Sequence, residues 1–257
     1  MCIDDAGQYG CLVTYLELNN KRTETFGEDV KYVKEGATAY CMFPRFLCDD
    51  SGWRKFYKGE GPRPTAKDYP DDWLTALIDA LEKAENDPEV KNFVIDISTN
   101  TGGSTDVVLF FTSLLCNKAD YYYENALTGQ RIKSSFDVDR NLDGKFDEQD
   151  AEVKYHLNFA VLVSNCSMSC SNMFSALLKD YGIAVIGQRT GGGSSCSIFN
   201  PTAEGLGYYY YTHRASLSNT KHENIDKGIA PTYELDKDDY FNLQKLTQLI
   251  ESYYSGK

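Results

Sequence analysis

Three serines fall within eight residues in the run Asn165-Cys-Ser-Met-Ser-Cys-Ser-Asn172. An apolar segment precedes it, Phe159-Ala-Val-Leu-Val163, which reads as a short buried strand. After it, Met173, Phe174, Leu177, Leu178 and Tyr181 recur on one face of a helix. A serine at such a junction lies where free amides and the helix dipole favour a developing negative charge, although serines there also serve as helix caps. Some sixty residues earlier the pattern returns: Phe93-Val-Ile-Asp-Ile97 is strand-like, and Ser98-Thr-Asn-Thr-Gly-Gly103 follows it. The pair Gly102-Gly103 lets backbone amides approach a ligand without side-chain hindrance. Together the two segments predict a serine nucleophile facing an oxyanion hole, the chemistry of acyl transfer.

A second constellation is independent of the first. In Asp139-Arg-Asn-Leu-Asp143-Gly-Lys-Phe-Asp147-Glu-Gln-Asp150 the spacing reproduces a calcium loop of the EF-hand type. Asp139, Asn141 and Asp143 supply side-chain oxygens, Gly144 permits the sharp turn, Lys145 offers its carbonyl, and Asp147 and Asp150 stand at the ninth and twelfth positions. Aspartate replaces the usual glutamate at the twelfth place, as in dockerin loops. A polar surface hairpin in an acidic chain is the competing explanation. The expectation is a structural Ca²⁺ and no organic cofactor.

The elements that must position these residues follow from periodicity. Residues 11–33 alternate as a hairpin turning at Asn19-Asn20-Lys21, and Ala37–Phe43 reads as a strand. The following loop carries Trp53, Phe56, Tyr57 and three prolines, and is expected to form part of a cleft wall. Asp71 or Asp72 caps a helix bearing Trp73, Leu74, Leu77, Ile78 and Leu81. A hairpin is expected over about 196–216, and a last helix carries Leu243, Leu246, Leu249, Ile250 and Tyr253. Strands alternating with helices imply an α/β fold with a largely parallel sheet and an added N-terminal β-hairpin. The 257 residues, 42% hydrophobic, suffice for one core, read as a single domain: a hairpin region over 1–35, a core over 36–235 and a helix over 236–257. A net charge of -12 argues against nucleic-acid partners, and no stretch has the length of a membrane span. Eight cysteines show no C-x-x-C pair, which excludes the common zinc patterns. With calcium expected, the chain is placed outside the cell or in the cell envelope.

The ordered set of motifs resembles the S41 peptidases, the tail-specific or C-terminal-processing proteases. Val94-Ile-Asp96-Ile-Ser-Thr-Asn100-Thr-Gly102-Gly103 is similar to that family's V-x-D-x-R-x-N-x-G-G, and Cys166-Ser-Met-Ser169-Cys-Ser-Asn172 to its G-S-x-S-x-S-E turn. Asp180–Gly187, Thr190–Gly193 and Lys227-Gly-Ile-Ala-Pro231 follow in the family's order. The resemblance implies a ClpP/crotonase-like ββα core and a serine-type peptidase acting on a peptide or protein. It also implies Ser169 as nucleophile, with an oxyanion hole at the amides of Gly102, Gly103 and Cys170. No PDZ module is expected.

The resemblance departs at the proton acceptor. Gly193 stands where the processing proteases carry a lysine, and no lysine occurs between Lys179 and Lys221. This places the chain nearer the lysine-less tricorn-like and nisin-resistance-like branches, which use an upstream histidine. Here no histidine precedes His156. The start of the chain suggests truncation of a segment carrying the base. Otherwise a later group serves, with His213 ranked ahead of His156 and His222, or the protein is an inactive peptide-binding relative.

Overall fold

The computed structural model describes residues 5–28, 30–125, 127–151, 155–193, 195–201 and 207–256. Six strands form one sheet: β1 (Val33–Glu35), β2 (Thr38–Met42), β3 (Asn92–Asp96), β6 (Asn158–Val163), β7 (Ala184–Gly187) and β10 (Tyr233–Glu234), in that spatial order. Only β1 runs antiparallel to its neighbour. The second sheet has the order β5-β4-β9-β8, from β4 (Asp120–Asn125), β5 (Arg131–Ser135), β8 (Ser195–Pro201) and β9 (Gly207–Ser218). The expected hairpin near 196–216 is β8–β9. The partner hairpin β4–β5 carries no strong alternation and was not anticipated.

Helices cover both faces of the main sheet, so its strands are buried on both sides. On one face α3 (Trp73–Glu85), α4 (Thr105–Cys116) and α5 (Cys170–Asp180) pack Leu77, Leu81, Phe111, Leu114, Phe174 and Leu177 against Phe93, Ile95, Phe159, Val161 and Val185. On the other, α1 (Asp5–Phe26) and α6 (Leu243–Ser255) bring Leu18, Leu246 and Ile250 against Tyr40, Val94, Ala160, Leu162 and Ile186. Caps follow side-chain chemistry: Asp72 accepts from the amides of Leu74 and Thr75 at the start of α3, and Ser104 from Asp106 at the start of α4.

The N-terminal β-hairpin is not formed. Residues 5–26 are a single helix, and the antiparallel pair nearest it in the chain is β1–β2, residues 33–42. The reason lies in the buried stripe, which is Thr14, Leu18 and Arg22, spaced by four residues but mostly polar, while Leu12 and Leu16 are 54% and 52% exposed. An apolar pattern cannot disclose a helix whose inward face is held by an ion pair. The aromatic loop also differs from expectation. Its aromatic part forms α2 (Asp50–Tyr57), whose Phe56 and Tyr57 pack on the aspartate loop: Tyr57 stacks on Phe146 at 5.8 Å and Phe56 faces Gly144. The cleft is lined instead by the two ends of the segment, Arg45, Leu47, Cys48 and Asp49 before α2 and Asp71 to Trp73 after it.

The parallel register decides where the site can be. β3 and β6 are neighbours, with Asp96 opposite Leu162, so the loops leaving their carboxyl ends emerge side by side. Such a strand edge in an open parallel sheet is where ligand sites form.

Candidate active site

The strand-to-helix turn after β6 separates the three serines by their surroundings. Ser167 is buried, donates to the carbonyl of Ile97 at 2.8 Å and accepts from the amide of Ser164. Ser171 is buried and donates to Asn100 Oδ1 at 2.6 Å. Ser169 is exposed, and its hydroxyl has no hydrogen-bond partner among the described residues. It occupies the N-cap position of α5 without capping it, at φ 54° and ψ −119°, a region that non-glycine residues seldom enter. Strain of this kind costs on the order of 1–3 kcal/mol and persists only where the surroundings enforce it. They do so here: the Ser169 amide donates to the carbonyl of Gly192 at 2.8 Å, Gly191 donates to the carbonyl of Ser167, and the Met168 amide reaches the carbonyl of Asn100.

The first glycine turn faces this serine. A Cβ added at Gly102 would lie 2.8 Å from the Ser169 Cβ and 3.2 Å from the Cys170 nitrogen, so only glycine leaves room there. The Gly102 amide is itself taken by Asn100 Oδ1 at 2.8 Å. The Gly103 amide makes no hydrogen bond among the described residues, since the bridge to Phe46 uses its neighbours: Phe46 donates to Gly102 and Ser104 to Phe46. The Cys170 thiol donates to the Gly103 carbonyl at 3.1 Å, closing the gap between the turn and α5.

Two residues to which sequence reasoning gave no role hold the arrangement. Asn100, fully buried, joins three segments: its amide nitrogen donates to the carbonyl of Phe43, and its oxygen accepts from Gly102 and Ser171. Its position in the glycine motif was the available signal. Arg22 comes from α1 and lies against Asp96 at 2.8 Å, with further bonds to Tyr40, Ser98 and Thr99. Burial alone would lower the affinity of this guanidinium for its proton, but Asp96 and Tyr40 outweigh it and hold the group fully charged. Burial, followed by Asp96, pushes the Tyr40 phenol well above its ordinary range. No local pattern could have announced a pair separated by 74 residues.

Of the three histidines, His156 lies before β6, paired with Glu85 at 3.0 Å. Ser169 follows the other end of that six-residue strand, roughly 20 Å away along the sheet. His222 sits in a turn against Tyr122, ring to ring at 5.5 Å. His213 lies on β9, in the stretch between Tyr211 and Ser216, whose partners on β8 are Ser197 and Ser195; its side chain, like that of Cys196, lies outside the described residues. A cavity of ≈ 1060 Å³ opens beside Thr101, lined by Tyr15, Asn19 and Arg22 of α1, by Arg45 and Leu47, and by Trp73.

In the aspartate loop the side chains fold the loop on itself. Asp139 accepts from the amides of Asp143 and Gly144, and Asp150 from those of Arg140, Asn141 and Asp147. Asn141 accepts from the Asp143 amide and Asp143 from that of Lys145. The oxygen donors suit a hard cation by type. Among the described residues, however, no three His, Cys, Asp or Glu side chains converge closely enough to hold one.

A largely parallel sheet between helical layers, with a serine elbow against a glycine turn, defines the ClpP-like α/β class. Solved structures agree on the fold. A lipoprotein from Streptococcus agalactiae superposes with a TM-score of 0.60 at 15% identity, over 90% of this chain and 73% of its own. The photosystem II D1 C-terminal processing protease gives 0.54 at 18%, over 81% and 46%. Mature CPAF complexed with lactacystin gives 0.51 at 15%, over 86% and 52%. The chain belongs to peptidase family S41, whose model matches residues 66–235. Among curated proteins, a probable CtpA-like serine protease of Staphylococcus aureus (strain COL) is 26% identical over 224 residues, 87% of this chain. The chain spans 38% of that relative's length. No helix among the described residues is long and apolar enough to cross a membrane.

Proposed function

We propose that this chain is a serine-type peptidase with Ser169 as its nucleophile. One observation carries the reading: of three serines in the turn, Ser169 alone is exposed and, among the described residues, without a partner for its hydroxyl, on a strained backbone against a glycine turn. In this reading Ser169 Oγ attacks the carbonyl carbon of a peptide bond. The oxyanion is received by the Gly103 amide together with the amide of Cys170 in the first turn of α5, where the helix dipole assists. Gly102 contributes the space rather than a donor, because its amide is already committed to Asn100. The hydroxyl proton passes to a base and then to the leaving amine, and water afterwards hydrolyses the acyl-enzyme. We assign the base to His213. Its backbone runs beside residues 195–197, just after the glycine loop that receives the Ser169 amide, whereas His156 and His222 are held elsewhere.

A second reading rests on the sequence: Gly193 stands where the processing proteases carry a lysine and no histidine precedes His156, as expected of a relative that binds peptides without cutting them. A fluorophosphonate probe separates the two. Covalent labelling confined to Ser169 is the expected result; labelling of Ser167 or Ser171 with Ser169 untouched would defeat the assignment, and no labelling at all would favour the binding protein. We further propose that the Asp139–Asp150 loop takes up Ca²⁺ in a structural role, drawing Asp139, Asp143 and Asp150 together as it binds, which suits an envelope or extracellular setting.

A further inference from the structure

We propose that Cys11 of α1 and Cys166 of the serine turn form a disulfide bond that staples the N-terminal half of α1 beside the nucleophile. Their sulfurs lie 3.1 Å apart, within van der Waals contact and about 1 Å beyond bonding distance. The Cys166 sulfur also lies 2.9 Å from the carbonyl oxygen of Cys11, so the helix backbone itself is seated on the turn. Both cysteines are free thiols in this structure.

The staple falls where packing is sparse. The C-terminal half of α1 is fastened by buried Leu18 and by the Arg22–Asp96 pair. From Gly10 to Glu17, Leu12, Tyr15 and Leu16 are exposed and Thr14 alone is buried, so little apolar burial holds that stretch down. The helix forms one wall of the large cavity, which begins at Tyr15 and continues through Asn19 and Arg22. Cys166 stands three residues before Ser169, and a bond from it to α1 fixes that wall relative to the serine.

The chemistry balances with a small-molecule disulfide as oxidant. Cys11 is partly exposed, whereas Cys166 is buried and its thiol is pushed up to about 12 by burial and then by Cys11. Exchange therefore begins at Cys11. Its thiolate attacks the small disulfide, forming a mixed disulfide and releasing one thiolate. The Cys166 sulfur then attacks the Cys11 sulfur, loses its proton to solvent and expels the second thiolate. Two protein thiols are oxidised and one small disulfide is reduced.

The test is incubation of the whole chain with oxidised glutathione, followed by acid quench, a non-reducing digest and mass mapping. The expected product is a single cross-linked peptide pair containing Cys11 and Cys166. The oxidised protein should melt higher by about 5 °C or more, since the bond closes a loop between residues 155 apart, and a reductant should reverse the shift. Cys11→Ser should abolish cross-link and shift together, and Cys48→Ser should leave both. Cys166→Ser is the second variant, used where it folds; Cys11→Ser suffices without it. Stable glutathionylation of Cys11 without a cross-link, pairing of Cys11 with another cysteine, or a cross-link that leaves the melting temperature unchanged would each overturn the proposal.

Discussion

The serine turn and the aspartate loop are both dense in short polar side chains, and both are built by side chains accepting backbone amides. They differ in what is left over. Around the serine turn, Asn100, Ser164, Ser167 and Ser171 are all buried and bonded, and a single hydroxyl, that of Ser169, stands outside the network. In the aspartate loop the carboxylates of Asp139, Asp143, Asp147 and Asp150 each accept an amide from within the loop, while Asp143 and Asp147 remain exposed with a second oxygen that accepts no amide among the described residues. A network that leaves one nucleophilic atom out has the arrangement that the proposed chemistry requires. The aspartate loop takes its shape from its own amides, and the proposed cation would engage the oxygens that these leave over.

The largest effect that can break this contrast is Ser169→Ala. Peptide hydrolysis and probe labelling should fall by about 10⁴-fold or more, because a nucleophile acts as a unit with its base and oxyanion donors. The melting temperature should stay within about 2 °C, since the hydroxyl bonds to nothing in the described residues. A large loss of stability would place Ser169 inside the structural network and erase the distinction.

Asn100→Ala tests the other side of it. The substitution strands the Phe43 carbonyl, the Gly102 amide and the Ser171 hydroxyl in a buried site, at about 1–3 kcal/mol for each group left unsatisfied. A total near 3–5 kcal/mol would lower the melting temperature by roughly 6–20 °C, measured by thermal denaturation. A fall of under 3 °C would show that the turn does not depend on this hub.

A smaller effect is expected at the aspartate loop. Calcium at a hundredfold excess over its dissociation constant should stabilise the fold by about 2.7 kcal/mol, and chelator should remove the gain. Asp143→Ala should abolish the dependence yet leave Ser169 labelling intact in folded protein at low temperature. A melting curve indifferent to calcium and chelator would leave the loop a purely hydrogen-bonded structure. A calcium requirement for labelling would instead join the two regions.

The smallest prediction runs in the opposite sense. Ser169→Gly should abolish activity and raise stability by about 1 kcal/mol, or 2–4 °C, because glycine tolerates the positive φ that strains serine. An unchanged or lower melting temperature would mean that the turn stores no strain. By contrast, the glycine at 103 is a poor place to probe catalysis alone. A side chain there would overlap the Phe46 carbonyl, so any bulky substitution disturbs the β-bridge along with the amide.

The sequence by itself determined the sheet and the two facing turns. Phe93–Ile95 and Phe159–Val163 are continuous apolar runs, the mark of strands buried on both faces, and the glycines and serines that follow are local punctuation. Asp72 and the periodic leucines announced α3, and the leucines of 243–250 announced α6. These signals are short in range, so residues within a few positions of one another carry them. What only the tertiary structure decided is long in range. Three serines look alike in the chain, and it took the packing of Asn100 and Ile97 against two of them to leave Ser169 exposed. Residues 11–33 alternate well enough to suggest a hairpin, but residues 5–26 form a helix whose buried face is polar, with Arg22 paired to Asp96, 74 residues away. Pairing energy between distant charges, and the approach of Cys11 to Cys166 across 155 positions, arise only once the sheet has brought those positions together.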